Sequence, residues 1–117
     1  MGRLTTHVLD LCAGKPGRGI AVTLFRLAGE ARTRVAAATT NADGRCDAPL
    51  LEGAHLQAGR YEIVFDAGRY LRAAGHAVTE PAFLDDIVIR FGIASPDQHY
   101  HVPLLLSPFG YSTYRGS

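Results

Sequence analysis

The chain has 117 residues, 47% of them hydrophobic and 20% charged, with 12 Lys and Arg against 11 Asp and Glu for a net charge of +1. That size and balance predict a single domain, residues 1–117, built on one core. The cations, all arginine except Lys15, are scattered rather than gathered into a basic stripe, which argues against a nucleic-acid partner. No apolar run reaches the length of a membrane span, and residues 1–7 lack a signal-peptide core, so the expectation is a cytoplasmic protein with no membrane contact.

Short alternating runs separated by Gly, Pro, Asn and Asp run through the whole sequence, the pattern of an all-β domain. Leu4 to Leu11 reads as a first strand, with Thr5, His7, Leu9 and Leu11 on one face and Leu4, Thr6, Val8 and Asp10 on the other. Gly14-Lys15-Pro16-Gly17 breaks the chain, and Ile20 to Leu27 reads as a second strand, with Ile20, Val22, Leu24 and Arg26 alternating against Ala21, Thr23, Phe25 and Leu27. Arg34 to Thr40 reads as a third strand, although its three consecutive alanines also suit a helix. Asn41-Ala42-Asp43-Gly44 is a strong turn signal that places Arg45 immediately after it.

A short fourth strand is expected over Ala48 to Leu51 and a clear fifth over Arg60 to Phe65. Asp66 reads as the N-cap of one short helix, Gly68 to Ala74, stopped by Gly75. Asp86 to Ala94 alternates Ile87, Ile89, Phe91 and Ile93 against Val88, Arg90 and Gly92. His99 to Leu106 contains Pro103, which cannot donate to a ladder and therefore predicts an edge, a bulge or a non-bonded position. Ser107-Pro108-Phe109-Gly110 turns the chain into a last strand that ends on Tyr114-Arg115-Gly116-Ser117. Seven or eight strands and one helix predict two packed sheets.

Several side chains could carry chemistry. His7, mid-strand and partly buried, reads either as a satisfied interior histidine or as a general base, because imidazole titrates near neutral pH. His99 and His101 flank Tyr100 and point the same way; with His7 they could supply metal ligands, but no Asp, Glu or Cys stands at ligand spacing, which makes metal the weaker reading. His55 and His76 read as loop or surface residues. Arg45 offers a planar five-donor fork, a job for which Arg115 competes from the tail. Cys12 and Cys46 read as free thiols. The tail combines aromatic, hydroxyl and guanidinium groups behind a turn, which predicts an ordered end that belongs to a site.

Three segments, Leu4 to Asp10, Thr40 to Arg45, and His99 to Pro108 continuing to the terminal Tyr114-Arg115-Gly116-Ser117, resemble the 5-hydroxyisourate hydrolases, the transthyretin-like enzymes of urate breakdown. The likeness spans essentially the whole chain, and its terminal tetrapeptide is absent from the hormone carriers of the same fold. It implies a transthyretin-like sandwich assembled as a homotetramer, a dimer of dimers, with sites in the cleft where dimers meet. By the same resemblance His7, Arg45, His101 and the tail residues Tyr114, Arg115 and Ser117 would line that cleft around 5-hydroxyisourate, without metal or cofactor. His7 and His101 would move protons, Arg45 would stabilise the oxyanion, and Tyr114 with Ser117 or the terminal carboxylate would complete orientation. Two other classes compete: a non-catalytic carrier using the same channel, and a structural or adhesive β-sandwich module.

Overall fold

Period-2 alternation assigns the faces of the first strand. Along β1 (Arg3–Asp10), Leu4, Thr6, Val8 and Asp10 are buried while Thr5, His7 and Leu9 are half-buried, so the even-numbered side chains enter the core. The computed structural model describes residues 1–116, and in it this strand belongs to a two-sheet β-sandwich. The other elements are β2 (Lys15–Pro16), β3 (Ala21–Ala28), β4 (Ala31–Thr39), β5 (Leu51–Glu52), β6 (Gly59–Asp66), α1 (Ala67–Ala73), β7 (Asp86–Ile93), β8 (Tyr100–Ser107) and β9 (Gly110–Thr113). One sheet has the order β2-β1-β8-β9 with β5 also on β1; the other has the order β4-β3-β6-β7. Leu4, Val8, Leu24, Ile63, Phe65, Leu104 and Leu106 fill the space between the sheets and are fully buried.

The strand count exceeds the expectation because two ladders are only two residues long. Lys15–Pro16, expected to be a simple break, folds back antiparallel on Leu9 and Asp10, held by Gly14 and Gly17 N–H groups donating to the Asp10 and Val8 carbonyls. The fourth strand shrinks to Leu51–Glu52 on β1. The alanines of the third segment form a strand: β4 pairs with β3 from Ala21–Thr39 to Ala28–Ala31, and tertiary pairing overrides alanine's helix preference.

Pro103 lies in an interior strand, between β1 and β9, so the edge option fails. The ladder to β9 begins at Leu104, and a separate bridge joins His101 to Gly116. Pro103 falls in the gap between them, where its carbonyl accepts the Thr113 hydroxyl at 2.7 Å and no ladder needs its missing N–H.

Asp66 occupies the N-cap position of α1, but its side chain makes no capping bond. The other end terminates as expected: Gly75 takes φ +85°, its N–H donates to the Arg72 carbonyl, and the His76 N–H donates to that of Leu71. This Schellman arrangement turns His76 inward. Rather than a simple surface residue, His76 is half-buried and its Nε2 lies 2.7 Å from the buried Asp10 carboxylate, which also accepts the Tyr70 hydroxyl at 2.6 Å and the Ala13 N–H.

Burial pushes the Asp10 carboxyl up, yet the bonds from Tyr70, His76 and Ala13 together hold it below its ordinary value. Glu62, buried on β6, behaves alike: desolvation raises it, and the Arg32 and Arg90 guanidinium groups at 2.6 and 2.9 Å more than reverse that. With both folded pKa values depressed, these carboxylates contribute stability above the ordinary carboxylate pKa that is lost as pH falls through their folded values. Tyr70→Phe removes one charge-assisted bond to Asp10 and is expected to lower unfolding stability by about 1.5–3 kcal/mol, measured by denaturant unfolding at neutral pH. A change within experimental error would mean that Asp10 does not depend on that hydroxyl.

Candidate active site

The residues predicted to carry chemistry come together on the outward face of the first sheet. β1 and β8 run parallel, pairing Leu4 with Tyr100, Thr5 with His101 and onward to Asp10 with Leu106. Since the even residues of β1 enter the core, Thr5 and His7 face out beside His101. The His7 and His101 ring centroids lie 6.4 Å apart at an interplanar angle of 36°.

The turn that follows β4 delivers Arg45 to the same place. Asn41 Oδ1 accepts the N–H groups of Asp43 and Arg45, the Gly44 N–H donates to the Asn41 carbonyl, and the Arg45 carbonyl accepts the Asn41 N–H. Gly44 takes φ +75°, and a Cβ there would collide with the Val8 carbonyl oxygen, so only glycine fits this close approach to β1. The Val8 N–H donates to the Gly44 carbonyl and His7 forms an isolated bridge with Arg45. Arg45 is exposed, and its guanidinium has no hydrogen-bond or ion-pair partner among the described residues.

Each imidazole spends one nitrogen on the protein. His7 Nε2 lies 3.0 Å from the Asp43 carbonyl oxygen, which can only accept, so Nε2 carries the proton and Nδ1 of the neutral ring holds the lone pair. His101 Nδ1 lies 2.8 Å from Thr5 Oγ1, which leaves Nε2 without a partner among the described residues. Burial and then the Arg45 charge hold His7 below its ordinary value, against a smaller opposing pull from Asp43. Burial, Arg45 and His7, in that order, lower His101 as well. Two neutral imidazoles beside a guanidinium unpaired among the described residues can accept protons and polarise a carbonyl in the same small volume.

A cavity of about 480 Å³ opens here, lined by Arg3, Thr5, Arg45, Asp47, His99 and His101 among others. A second depression on the tail side shares His99 and His101 and adds Asp97, Tyr114, Arg115 and Gly116. His101 therefore stands between the two. Tyr114 is exposed there. Arg115 donates to the Gln98 side chain and the His99 carbonyl and lies over the Tyr100 ring, 4.1 Å from its centroid, so its fork binds the tail to the preceding loop. Ser117 lies outside the described residues.

Gly116 closes the arrangement. Its N–H donates to the His101 carbonyl at 2.7 Å, and a Cβ on it would meet His101 Cδ2 at 2.8 Å. The ordered tail expected from its composition is thus a strand-like contact against the histidine itself. Thr5 was not singled out from sequence, because its relation to His101 exists only once β1 and β8 are paired.

His7, His99 and His101 do not gather as three ligating side chains within 4.8 Å of one another; among the described residues only Asp66, Asp85 and Asp86 do. Cys12 is exposed and Cys46 is half-buried, and neither is in a disulfide. Burial, then the Asp47 charge, pushes the Cys46 thiol up, which keeps it protonated.

Residues 4–116 match the HIUase/Transthyretin family, and the chain belongs to it. It is 63% identical over 116 residues to a 5-hydroxyisourate hydrolase of Mesorhizobium japonicum, covering 99% of this chain and 93% of that one. The Klebsiella pneumoniae 5-hydroxyisourate hydrolase structure superposes with a TM-score of 0.82 at 37% identity, covering 100% of both chains. The crystal structure of (S)-allantoin synthase superposes with a TM-score of 0.94 at 45% identity; 99% of this chain is matched, but it spans only 44% of that longer one.

Gly116→Ala is expected to push the tail off His101. The residue-116 N–H should then lose about tenfold or more of its protection in amide hydrogen exchange, while the circular dichroism of the sandwich is unchanged. Undiminished protection would mean that the tail can accommodate a methyl group without leaving the histidine.

Proposed function

We propose that this chain hydrolyses 5-hydroxyisourate to 2-oxo-4-hydroxy-4-carboxy-5-ureidoimidazoline, acting as a single domain over residues 1–117. The observation that carries the reading is the convergence of His7, Arg45 and His101, from three distant segments, on one sheet face. Membership of the family and the full-length likeness to 5-hydroxyisourate hydrolases support the choice of substrate.

Water attacks a ring amide carbonyl, a poor nucleophile meeting a poor electrophile. One neutral imidazole, His7 through Nδ1 or His101 through Nε2, takes the proton from water as the new C–O bond forms. The Arg45 guanidinium stabilises the charge that develops on the carbonyl oxygen. Collapse of the tetrahedral intermediate breaks the C–N bond, and the ring nitrogen leaves with a proton returned by an imidazolium. The product is an opened ring with a carboxylate. Tyr114 binds substrate from the tail side, Arg115 does so through the donors that its contacts with Gln98 and His99 leave over, and Ser117 contributes to catalysis. The scheme requires no metal or cofactor.

The proposal extends to assembly and place: a homotetrameric, cytoplasmic enzyme, a dimer of dimers whose two-fold axes repeat the cleft. The exposed sheet edge at β9, all four residues of which are exposed, Tyr111 among them, and the exposed Phe109 beside it support an interface there. No helix among the described residues is long and apolar enough to cross a membrane.

His7→Ala or His101→Ala is expected to cut kcat/KM for freshly generated 5-hydroxyisourate by about 10²–10⁴-fold with the fold intact, followed by the ultraviolet absorbance of the substrate. Because both imidazoles are held below 6.5 and act from the neutral form, the rate should be level above that pH and fall as pH drops through their lowered values. Decay no faster than in buffer alone would remove the hydrolase reading, and near-normal turnover by both variants would remove the histidine roles.

A further inference from the structure

We propose that Thr5 is the positioning residue for His101, its hydroxyl oxygen accepting the Nδ1–H of the imidazole so that Nε2 carries the lone pair used in hydrolysis. This rests on the hydrolase reading and assigns a role to a side chain outside the His, Arg and tail set.

The contact is built into the strand pairing. Thr5 and His101 are partners in the parallel β1–β8 ladder, and Oγ1 stands 2.8 Å from Nδ1. The β-branched side chain of threonine has few χ1 choices in a strand, so the oxygen is held where the ring meets it. The next residue fastens the opposite face: Thr6 is buried and its hydroxyl donates to the Val102 carbonyl at 2.7 Å. Two consecutive threonines thus fix β1 against β8, one toward the core and one toward the site.

Turning the His101 ring over would cost it the Thr5 bond. Rotation by half a turn about its bond to Cβ exchanges Nδ1 with Cδ2, and Cδ2 now packs against Gly116 so closely that a Cβ there would stand 2.8 Å away. The turned ring would lose the threonine bond and press a polar nitrogen on that apolar contact.

Electrostatics decides the direction of the bond, since a hydroxyl can either donate or accept. With Nδ1 engaged by Thr5, Nε2 is the nitrogen without a partner among the described residues, and His101 lines a cavity together with Arg3 and Arg45. A lone pair beside cations is favoured over an N–H dipole pointing at them. Asp47, the one acidic residue lining that cavity among the described residues, accepts from the Asn41 side chain; Cys46 and His99 are the other ionisable groups of its lining, and His7 stands beside His101 on the same sheet face. On the tail side the charged and titratable neighbours among the described residues are Asp97, His99, Tyr114 and Arg115.

Thr5→Val keeps the shape and removes the oxygen, while Thr5→Ser keeps the oxygen. Steady-state hydrolysis of 5-hydroxyisourate across pH is expected to show kcat for Thr5→Val lower by about 10–100-fold with KM within about twofold. Its acid limb should move to lower pH, because the imidazolium has lost an acceptor for Nδ1–H. Thr5→Ser should recover most of kcat. Unchanged kcat in Thr5→Val, a limb that moves to higher pH, or a serine variant no better than valine would each overturn the proposal. Imidazole nitrogen NMR of the wild-type protein at neutral pH supplies an arm independent of turnover: a protonated Nδ1 on His101 that is lost or weakened in Thr5→Val supports the assignment, and a neutral ring protonated at Nε2 overturns it. A wild-type protein without hydrolase activity would defeat the functional reading alone, leaving the NMR arm to decide the bond.

Discussion

The parallel pairing of β1 with β8 is the constraint on which this molecule depends. Thr5 and His101, which bond to each other, are 96 residues apart, and only the register from Leu4–Tyr100 to Asp10–Leu106 brings them opposite. The same register sends Leu4, Val8, Leu104 and Leu106 into the core. A slip of one residue would turn the leucines toward solvent and the histidines inward, a double penalty that specifies the pairing strongly. Core and site are two faces of one ladder, and the hydrophobic face holds the polar one in place.

Buried polar groups anchor one end of that ladder and the sheet opposite it. Asp10, at the end of β1, receives Tyr70 from α1 and His76 from the turn beyond it. Glu62 in the opposite sheet lies between Arg32 and Arg90, with Arg32 also 3.5 Å above the Phe25 ring centroid. No buried side-chain nitrogen or oxygen is left without a partner among the described residues. A scaffold with its polar groups satisfied can hold a reactive face whose own groups remain partly unspent.

That face uses its hydrogen bonds sparingly. His7 gives Nε2 to the Asp43 carbonyl, His101 gives Nδ1 to Thr5, and each keeps one nitrogen. Burial and Arg45 disfavour a proton on either ring. In the proposed hydrolysis this guanidinium would do two jobs at once: offer donors to a developing oxyanion and, by charge repulsion, keep its imidazole neighbours in the neutral form that can accept a proton. The turn from Asn41 to Gly44 makes this possible because its bonds are internal and leave the Arg45 side chain free to face the cavity.

The sequence by itself determined most of the long strands, the Asn41–Gly44 turn, the helix stop at Gly75 and the candidacy of His7, Arg45 and His101, because alternation, turn chemistry and the recognisable segments are all properties of neighbouring residues. Only tertiary structure decided that the alanines of β4 form a strand, that Pro103 sits inside a sheet, that His76 reaches Asp10 and that Thr5 holds His101. The same is true of Arg115, whose fork closes on Gln98 and His99 rather than on the cavity with Arg45. Each of these depends on which strand lies beside which, and in what register. Such pairings join residues far apart in the chain, and no local pattern encodes the partner a backbone or side chain will meet.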